Sequence, residues 1–518
     1  MISSLRKAAP WLVAVAACLL ACRFVVVRGQ DQNWDLLSYH YFSGYAFVNG
    51  RFLEDVAPVK LQTYLNPLPN VLTFLAYSRL PFPFSSLALL GVQLLAVPVL
   101  VLLGREVARD SGRSEVSAGE ILALVLGLAA PMWWSELGTS FYSSTTAPLV
   151  LCGFWLLLRG AAPGSSRLVA LRQMSVAGAL IGLATALRLT NAIFMIAGAF
   201  ALVPVASRLG MRFASGRALA FLAGIGAGLA MMAWWYALVY REFGNPIFPL
   251  YNAVFRSPYF DAINLRDARW AFGTTGDFVR FLGDAAGGTS KTSEVEFADA
   301  RLLACVAFAI LALGVRAFAS AKGGRRLGLA SVMLLWFVGT GAVTWGLVFA
   351  YQRYLIPIEL LLGLAVWALL GFVAETERQL AIGMATCVLL VLSLIRVPDW
   401  GHYQADARAA SNIFGLELPE ELARQPAEYL VAGAPDGFIL AFLHPASHFY
   451  RIDFSPRVYG RIHERLARFR GRPVRLITLA SASWALDDAR RLGYEPAGEC
   501  TRFRSHVDTY VACDMRRR

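Results

Sequence analysis

Long apolar runs recur from residue 10 to residue 396 of this sequence, and no other feature constrains its fold as strongly. A helix needs about 17–25 apolar residues to cross the hydrocarbon core of a bilayer. Runs of that kind lie at 10–27, 84–104, 119–135, 144–159, 173–189, 191–207, 218–240, 300–317, 327–350, 354–373 and 380–396. They predict a polytopic α-helical membrane protein with about eleven transmembrane helices. Composition agrees, because 518 residues that are 57% hydrophobic and only 16% charged are too apolar for a soluble chain of this length.

Lys and Arg near helix ends are held on the cytoplasmic side, so the joints between runs report sidedness. With the N terminus inside, the cytoplasmic joints carry Arg6 and Lys7; Arg105, Arg109 and Arg113; Arg159, Arg167 and Arg172; Arg208, Arg212 and Arg217; and Arg316, Lys322, Arg325 and Arg326. The alternation puts 28–83, 135–144, 241–299 and everything after 397 on the outer side. A bacterial inner-membrane protein with a cytoplasmic N terminus and a periplasmic C-terminal domain is the expectation. The net charge of +13 is then largely a set of topological anchors plus an Arg-rich C-terminal region, which makes nucleic-acid binding a poor reading.

Within the first outer loop, WDLLSYHYFSGYAFVNG and NPLPNVLTFLAYSRL carry aromatics at helical spacing without the length to span. Both are expected to be helices lying in the interface. The 241–299 loop opens on Gly-Asn-Pro and Phe-Pro turn signals, and its later part, GDAAGGTSKTSEVE, reads as mobile loop. After Pro398 the composition becomes that of a soluble domain. Strand-like runs at 428–433, 448–453 and 474–480 alternate with helical patterns at 457–470 and 482–492, and two more strand-like runs surround Cys500 and Cys513. The pattern predicts a small C-terminal α/β domain over 398–518 behind a transmembrane domain over 1–397. Of the seven cysteines, Cys500 and Cys513 alone fall in this exported region, where a hairpin disulfide between them can persist.

The outer loops also gather polar groups that anchoring does not explain: Asp31, Asp35, His40, Glu54, Asp55, Lys60, Gln62 and Asn66 in the first, and Glu136 in the second. Arg188 and Arg353 stand at the outer ends of helices, the wrong side for anchors. A single misplaced arginine often snorkels harmlessly. Two of them on the same side as several carboxylates suit an anionic headgroup, because guanidinium grips phosphate through paired hydrogen bonds. His40 among tyrosines reads first as a structural hydrogen-bonding residue, and second as an acceptor contact or metal ligand. Trp133 and Trp134 read as an interface belt.

These positions resemble the integral-membrane glycosyltransferases of the GT-C superfamily, which include aminoarabinose transferases and protein mannosyltransferases. In that family an Asp follows the first helix, an aromatic lies four residues on, and a Gly ends the first interfacial helix; Asp35, Tyr39 and Gly50 match. The proline-rich step before the second helix resembles Asn66-Pro67-Leu68, a Gly-Leu-Ala segment ending in a basic residue resembles GLATALR (182–188), and Arg-Tyr-Leu-x-Pro resembles RYLIP (353–357). The resemblance implies a GT-C-like fold over roughly residues 10–370. One departure stands out. Where many relatives carry a second Asp before the fourth helix, this chain reads SELGTSFYSSTT, with Glu136 its only acid. Metal dependence, on a divalent cation such as Mg or Mn, therefore turns on whether Glu136 takes that role.

An outward-facing transferase has no supply of nucleotide sugars, so an activated sugar arrives on a lipid carrier such as polyprenyl phosphate. The carrier phosphate is then the leaving group, with Arg188 and Arg353 as its binding candidates. Asp35 is the candidate general base toward the acceptor hydroxyl of a cell-envelope glycan, lipid or protein, and direct displacement inverts the anomeric centre. Such a base is expected to have its pKa raised by partial burial. Tyr39, His40, Lys60, Gln62, Asn66 and Glu136 are candidates for acceptor binding or for the second acid. Alternatives are a polyprenyl-linked glycan polymerase or ligase, a lipid flippase or transporter, and an inactive GT-C-like scaffold.

Overall fold

The computed structural model of the protein describes residues 2–113, 115–318, 327–404 and 413–518; Lys322, Arg325 and Arg326, of the last joint expected to be cytoplasmic, lie outside them. Among the described residues nine helices are long and apolar enough to cross a membrane: Lys7–Arg28, Phe84–Asp110, Tyr142–Ala161, Arg167–Leu187, Leu189–Leu209, Met211–Ala230, Leu329–Val348, Gln352–Val373 and Glu377–Leu394. The remaining apolar runs fall on the helix Arg301–Phe318 and on the shorter Ala118–Leu128. Two boundaries differ from expectation. The 119–135 run breaks before Pro131, which starts the short helix Pro131–Glu136. The 218–240 run is divided between Met211–Ala230 and Ala233–Phe243.

Close helix contacts set the frame for the site. A Cβ on Gly178 or Gly182 would come within 2.0 or 2.4 Å of the carbonyl oxygens of Phe221 or Ile225, and one on Gly224 within 2.1 Å of that of Ser175. Only glycine permits this approach of Arg167–Leu187 to Met211–Ala230, an arrangement typical of small residues spaced four apart in membrane helices. Gly182 of the GLATALR segment is thus a packing residue, and the helix it locks ends at Arg188.

The joints that the charge alternation groups together meet each other. At one end Arg105 pairs with Glu120 at 2.7 Å, Arg113 with Glu377 at 2.9 Å, and Arg208 donates to the Leu327 carbonyl at 2.8 Å. At the other end Asp31 accepts from the Ser140 N–H, Ala298 pairs with Arg396, and Arg266 donates to the carbonyls of Leu347 and Val348.

Both stretches expected to be interfacial helices are helical. The first runs through a π-helical turn, Leu36–His40, into Tyr41–Val48, and Gly50 stops it with φ +67°, the left-handed conformation that suits glycine. The second is Leu68–Arg79. In the 241–299 loop the stretch read as mobile begins inside a helix, Thr275–Gly287, which a reciprocal capping box between Thr274 and Asp277 starts.

The C-terminal region is the expected α/β layer. Six strands, β1 (Glu428–Val431), β2 (His448–Arg451), β3 (Val474–Leu479), β4 (Tyr494–Pro496), β5 (Thr501–Arg504) and β6 (Thr509–Arg517), form one sheet in the order β2-β1-β3-β6-β4, with β5 also paired to β6. β1, β2 and β3 are parallel and the rest antiparallel. Cys500 and Cys513 are joined across the β5–β6 hairpin. The domain sits on the first outer loop. Val56 extends the edge of β2 by exchanging backbone hydrogen bonds with Phe449 and Arg451. Leu36, Leu37, Tyr41 and Phe42 share one buried cluster with Phe414, Phe438, Phe449 and Tyr510.

Candidate active site

Asp35 stands immediately before the π-helical turn, a distortion that recurs at functional sites because it re-aims the side chains around it. Its carboxylate accepts a hydrogen bond from Arg353 Nη1 at 2.7 Å, with each side chain only 12% exposed. Arg353 reaches this point from the turn Gln352–Leu355, directly before a helix that carries Pro357 in its first turn, where proline is pre-organised. Tyr39 and His40 also face Asp35. Burial pushes the Asp35 carboxyl up, but the Arg353 charge, the facing His40 and hydrogen bonds from Tyr39 and Arg353 together hold it below the usual carboxylate range. The expectation of a raised pKa is therefore reversed, because the sequence places a carboxylate here but does not reveal the cation bonded to it.

Arg188 ends its helix in extended conformation and lays its guanidinium over the Tyr354 ring, 4.5 Å from the centroid; the Arg353 guanidinium is 5.7 Å from the same ring. Among the described residues the Arg188 side chain has no hydrogen-bonded or ion-paired partner, and Arg353 Nε is buried without one. The helix end before Arg188 is held by Asn66, whose amide donates to the Ala186 carbonyl at 3.1 Å, and by the Tyr236 hydroxyl, which donates to the same oxygen at 2.6 Å.

The second outer joint closes over this cluster. Glu136 is fully buried, accepts the Ser144 N–H at 2.8 Å and faces Arg188; burial raises its carboxyl above the ordinary value. His40 Nδ1 lies 3.0 Å from Ser140 Oγ, and its ring packs 4.2 Å from that of Tyr142. Burial pushes its pKa down to about 3, so the imidazole is neutral at physiological pH.

Asp35, Tyr39, His40, Glu136, Arg188 and Arg353 thus come together. Lys60 does not join them: it pairs with Asp453 of the C-terminal domain at 2.8 Å. Gln62 lies in the turn Lys60–Tyr64 and makes no side-chain hydrogen bond among the described residues. Asn66 serves the helix end described above. Trp133 is fully buried in the helical core rather than at an interface, and Trp134 is partly buried with its indole N–H donated to the Leu128 carbonyl.

Four neighbours of Arg353 lie outside the set read from the sequence. Glu294 is 3.8 Å from Nη2, and the rings of Phe141, Trp400 and Tyr354 lie within 5.7 Å of the guanidinium carbon. Trp400 arrives from the segment after the last span, which runs back along the end of the first. Asp31 pairs with His402 and Gln30 with Tyr403, while the Trp400 indole donates to Ser135 Oγ at 3.0 Å. A tryptophan alone in a polar linker was the only signal of its place.

The acids do not fit a divalent cation. Among the described residues no three His, Cys, Asp or Glu side chains group as a ligand set. Asp35 is ion-paired with Arg353, while Glu136 only faces Arg188 without forming an ion pair.

No protein-family model matches the chain, and no curated protein matches it either. Its fold does have counterparts among solved structures. ArnT from Cupriavidus metallidurans, solved bound to undecaprenyl phosphate, superposes with a TM-score of 0.55 at 16% identity over 98% of each chain. An oligosaccharyltransferase from Archaeoglobus fulgidus, solved with Zn and sulfate, gives 0.49 at 11% identity over 97% of this chain and 73% of that one. The ArnT match establishes the fold: the chain shares the architecture of that protein over 98% of its length, including the C-terminal domain.

Proposed function

We propose that the protein transfers a sugar from a polyprenyl-phosphate carrier to a cell-envelope acceptor on the outer face of the bacterial inner membrane, with inversion at the anomeric carbon. The observation that carries this reading is the pairing of two arginines around Tyr354, one with no anionic partner and the other with an unsatisfied buried Nε, directly beside the Asp35 carboxylate. Buried cations of this kind call for an anion, and a phosphate ester is the anion that an outward-facing transferase has to bind. The fold it shares with ArnT supports the same substrate class.

In the proposed reaction the acceptor hydroxyl loses its proton to an Asp35 carboxylate oxygen as its own oxygen bonds to the anomeric carbon. The bond from that carbon to the phosphate oxygen breaks, and its electron pair stays on the carrier phosphate between Arg188 and Arg353. Asp35 is the catalytic base; the two arginines bind the donor and stabilise the leaving group. Glu136 and His40 act as positioning residues, the first through Arg188 and the second through the Ser140 loop. The topology of alternating basic joints supports the outer placement.

The test is direct. Purified protein in nanodiscs is offered polyprenyl-phosphate sugars together with envelope acceptors, and release of polyprenyl phosphate and the anomeric configuration of the product are read. Binding of polyprenyl phosphate that survives Arg188→Ala and Arg353→Ala together would remove the basis of the proposal.

A further inference from the structure

We propose that Arg353 couples donor binding to the strength of the base: as the counter-ion of Asp35 it holds the carboxylate in check, and a carrier phosphate that draws Arg353 to itself releases Asp35 to accept a proton. The inference rests on the phosphate-binding reading above and adds an order of events to it.

The geometry makes Arg353 a shared residue. Its Nη1 is committed to Asp35 at 2.7 Å, its Nη2 lies 3.8 Å from Glu294, too far for a hydrogen bond, and its Nε is buried without a partner. Two of its three nitrogens are therefore available to an incoming oxyanion, while the third holds the base. Flat contacts with Phe141 and Trp400, at 5.0 and 5.5 Å, border the guanidinium without hydrogen-bonding it, so in-plane movement costs no hydrogen bond from these neighbours. Arg188 lies against the same Tyr354 ring, 4.5 Å from its centroid.

The competition favours phosphate. A carboxylate and the phosphodiester of a lipid-linked sugar each spread one negative charge over two oxygens, but Asp35 engages Arg353 alone whereas the phosphate is gripped by Arg353 and Arg188 together. The charged and titratable groups facing Asp35 are Arg353, His40 and Tyr39, with Tyr142 next to Tyr39, and Glu294 on the far side of Arg353. Arg353 is the group whose charge depresses the proton affinity of Asp35 most, ahead of His40 and of the Tyr39 hydrogen bond. Sharing that charge with a phosphate raises the affinity, and a stronger base transfers faster. A chain built in this way does not deprotonate an acceptor or water before the donor is in place.

The experiment is a difference-infrared titration of protein carrying 13C-labelled aspartate in nanodiscs, with Asp35→Asn identifying the band. Polyprenyl phosphate is the probe and uncharged polyprenol the control. The expected result is an upward shift of the Asp35 titration by one pH unit or more with polyprenyl phosphate and none with polyprenol. Arg353→Gln should titrate high in both conditions, and if that variant does not fold the wild-type titration decides alone. Polyprenyl phosphate that binds, by retention on the nanodiscs, without moving the Asp35 band overturns the coupling and leaves the donor site standing. Absence of binding overturns the donor site and the coupling with it.

Discussion

The Asp31 carboxylate accepts the backbone N–H of Ser140 at 2.8 Å across 109 residues of sequence, and it also receives the Asn33 amide at 2.7 Å and the Tyr77 hydroxyl at 3.3 Å. Asp31 is therefore a fully engaged clamp, whereas Asp35, four residues on, meets a single cation. The two acids should separate by phenotype. Asp31→Ala strands buried donors at a cost of about 1–3 kcal/mol each, and a lowered Tm in detergent is the expected readout. Asp35→Asn keeps an oxygen toward Arg353, so the protein should elute and melt nearly as the parent does, while transfer falls by about 10²- to 10⁴-fold.

Much of this was legible in the sequence, and the rest was not for physical reasons. Hydropathy and basic joints found the helices and grouped the loops that meet, because both signals are local and one-dimensional. Asp35, Arg188 and Arg353 could be named since charged residues at the ends of apolar helices, outside the basic joints, are conspicuous. What spacing could not supply was pairing: nothing in the sequence joins residue 35 to residue 353, and so the depressed proton affinity of Asp35 was missed. The pairing of Lys60 with Asp453 is hidden for the same reason, the two lying far apart in sequence. Trp400 carries no periodicity at all; only the return of its segment along the first helix brings it to Arg353.

His40 predicts a pH dependence of stability. Its folded pKa is depressed to about 3 from an ordinary 6.5, so the unfolded chain binds a proton that the folded one excludes. The stabilisation is fully present above the unfolded pKa and is lost as pH falls from 6.5 toward about 3. Chemical denaturation across this window should show stability falling with acid, and His40→Gln should remove about one proton from the slope while its amide still reaches Ser140.

The C-terminal domain should depend on Arg451 for its seat. That buried guanidinium donates to the Pro58 carbonyl of the first outer loop at 2.6 Å and to Asp436 at 2.7 Å. Burial raises Asp436 to about 6 despite the arginine, so its own contribution is present at low pH and lost as pH rises through about 6. Arg451→Met leaves Asp436 buried without the cation that favours its charged form, with an expected loss of about 3–5 kcal/mol. Adding Asp436→Asn should recover part of it, and limited proteolysis of the two variants measures the difference. A double variant as labile as the single one would place the damage in lost packing rather than in the stranded carboxyl.

Glu136 and Arg188 decide whether a second acid takes part in the chemistry. Glu136 faces Arg188 and accepts the Ser144 N–H, so it trims the charge of the proposed phosphate site and holds the joint in shape. Glu136→Gln retains an oxygen for Ser144 and removes only the charge; transfer should stay within about tenfold of the parent, and the KM for the donor should fall because Arg188 is left more positive. Arg188→Gln should do the opposite, raising that KM and lowering kcat by about 10²-fold or more, the usual cost of removing one donor to a developing anion. Comparing kcat with KM for the two variants separates the roles: a collapse of kcat in Glu136→Gln as deep as that in Asp35→Asn would make Glu136 a second catalytic acid in spite of the arginine it faces.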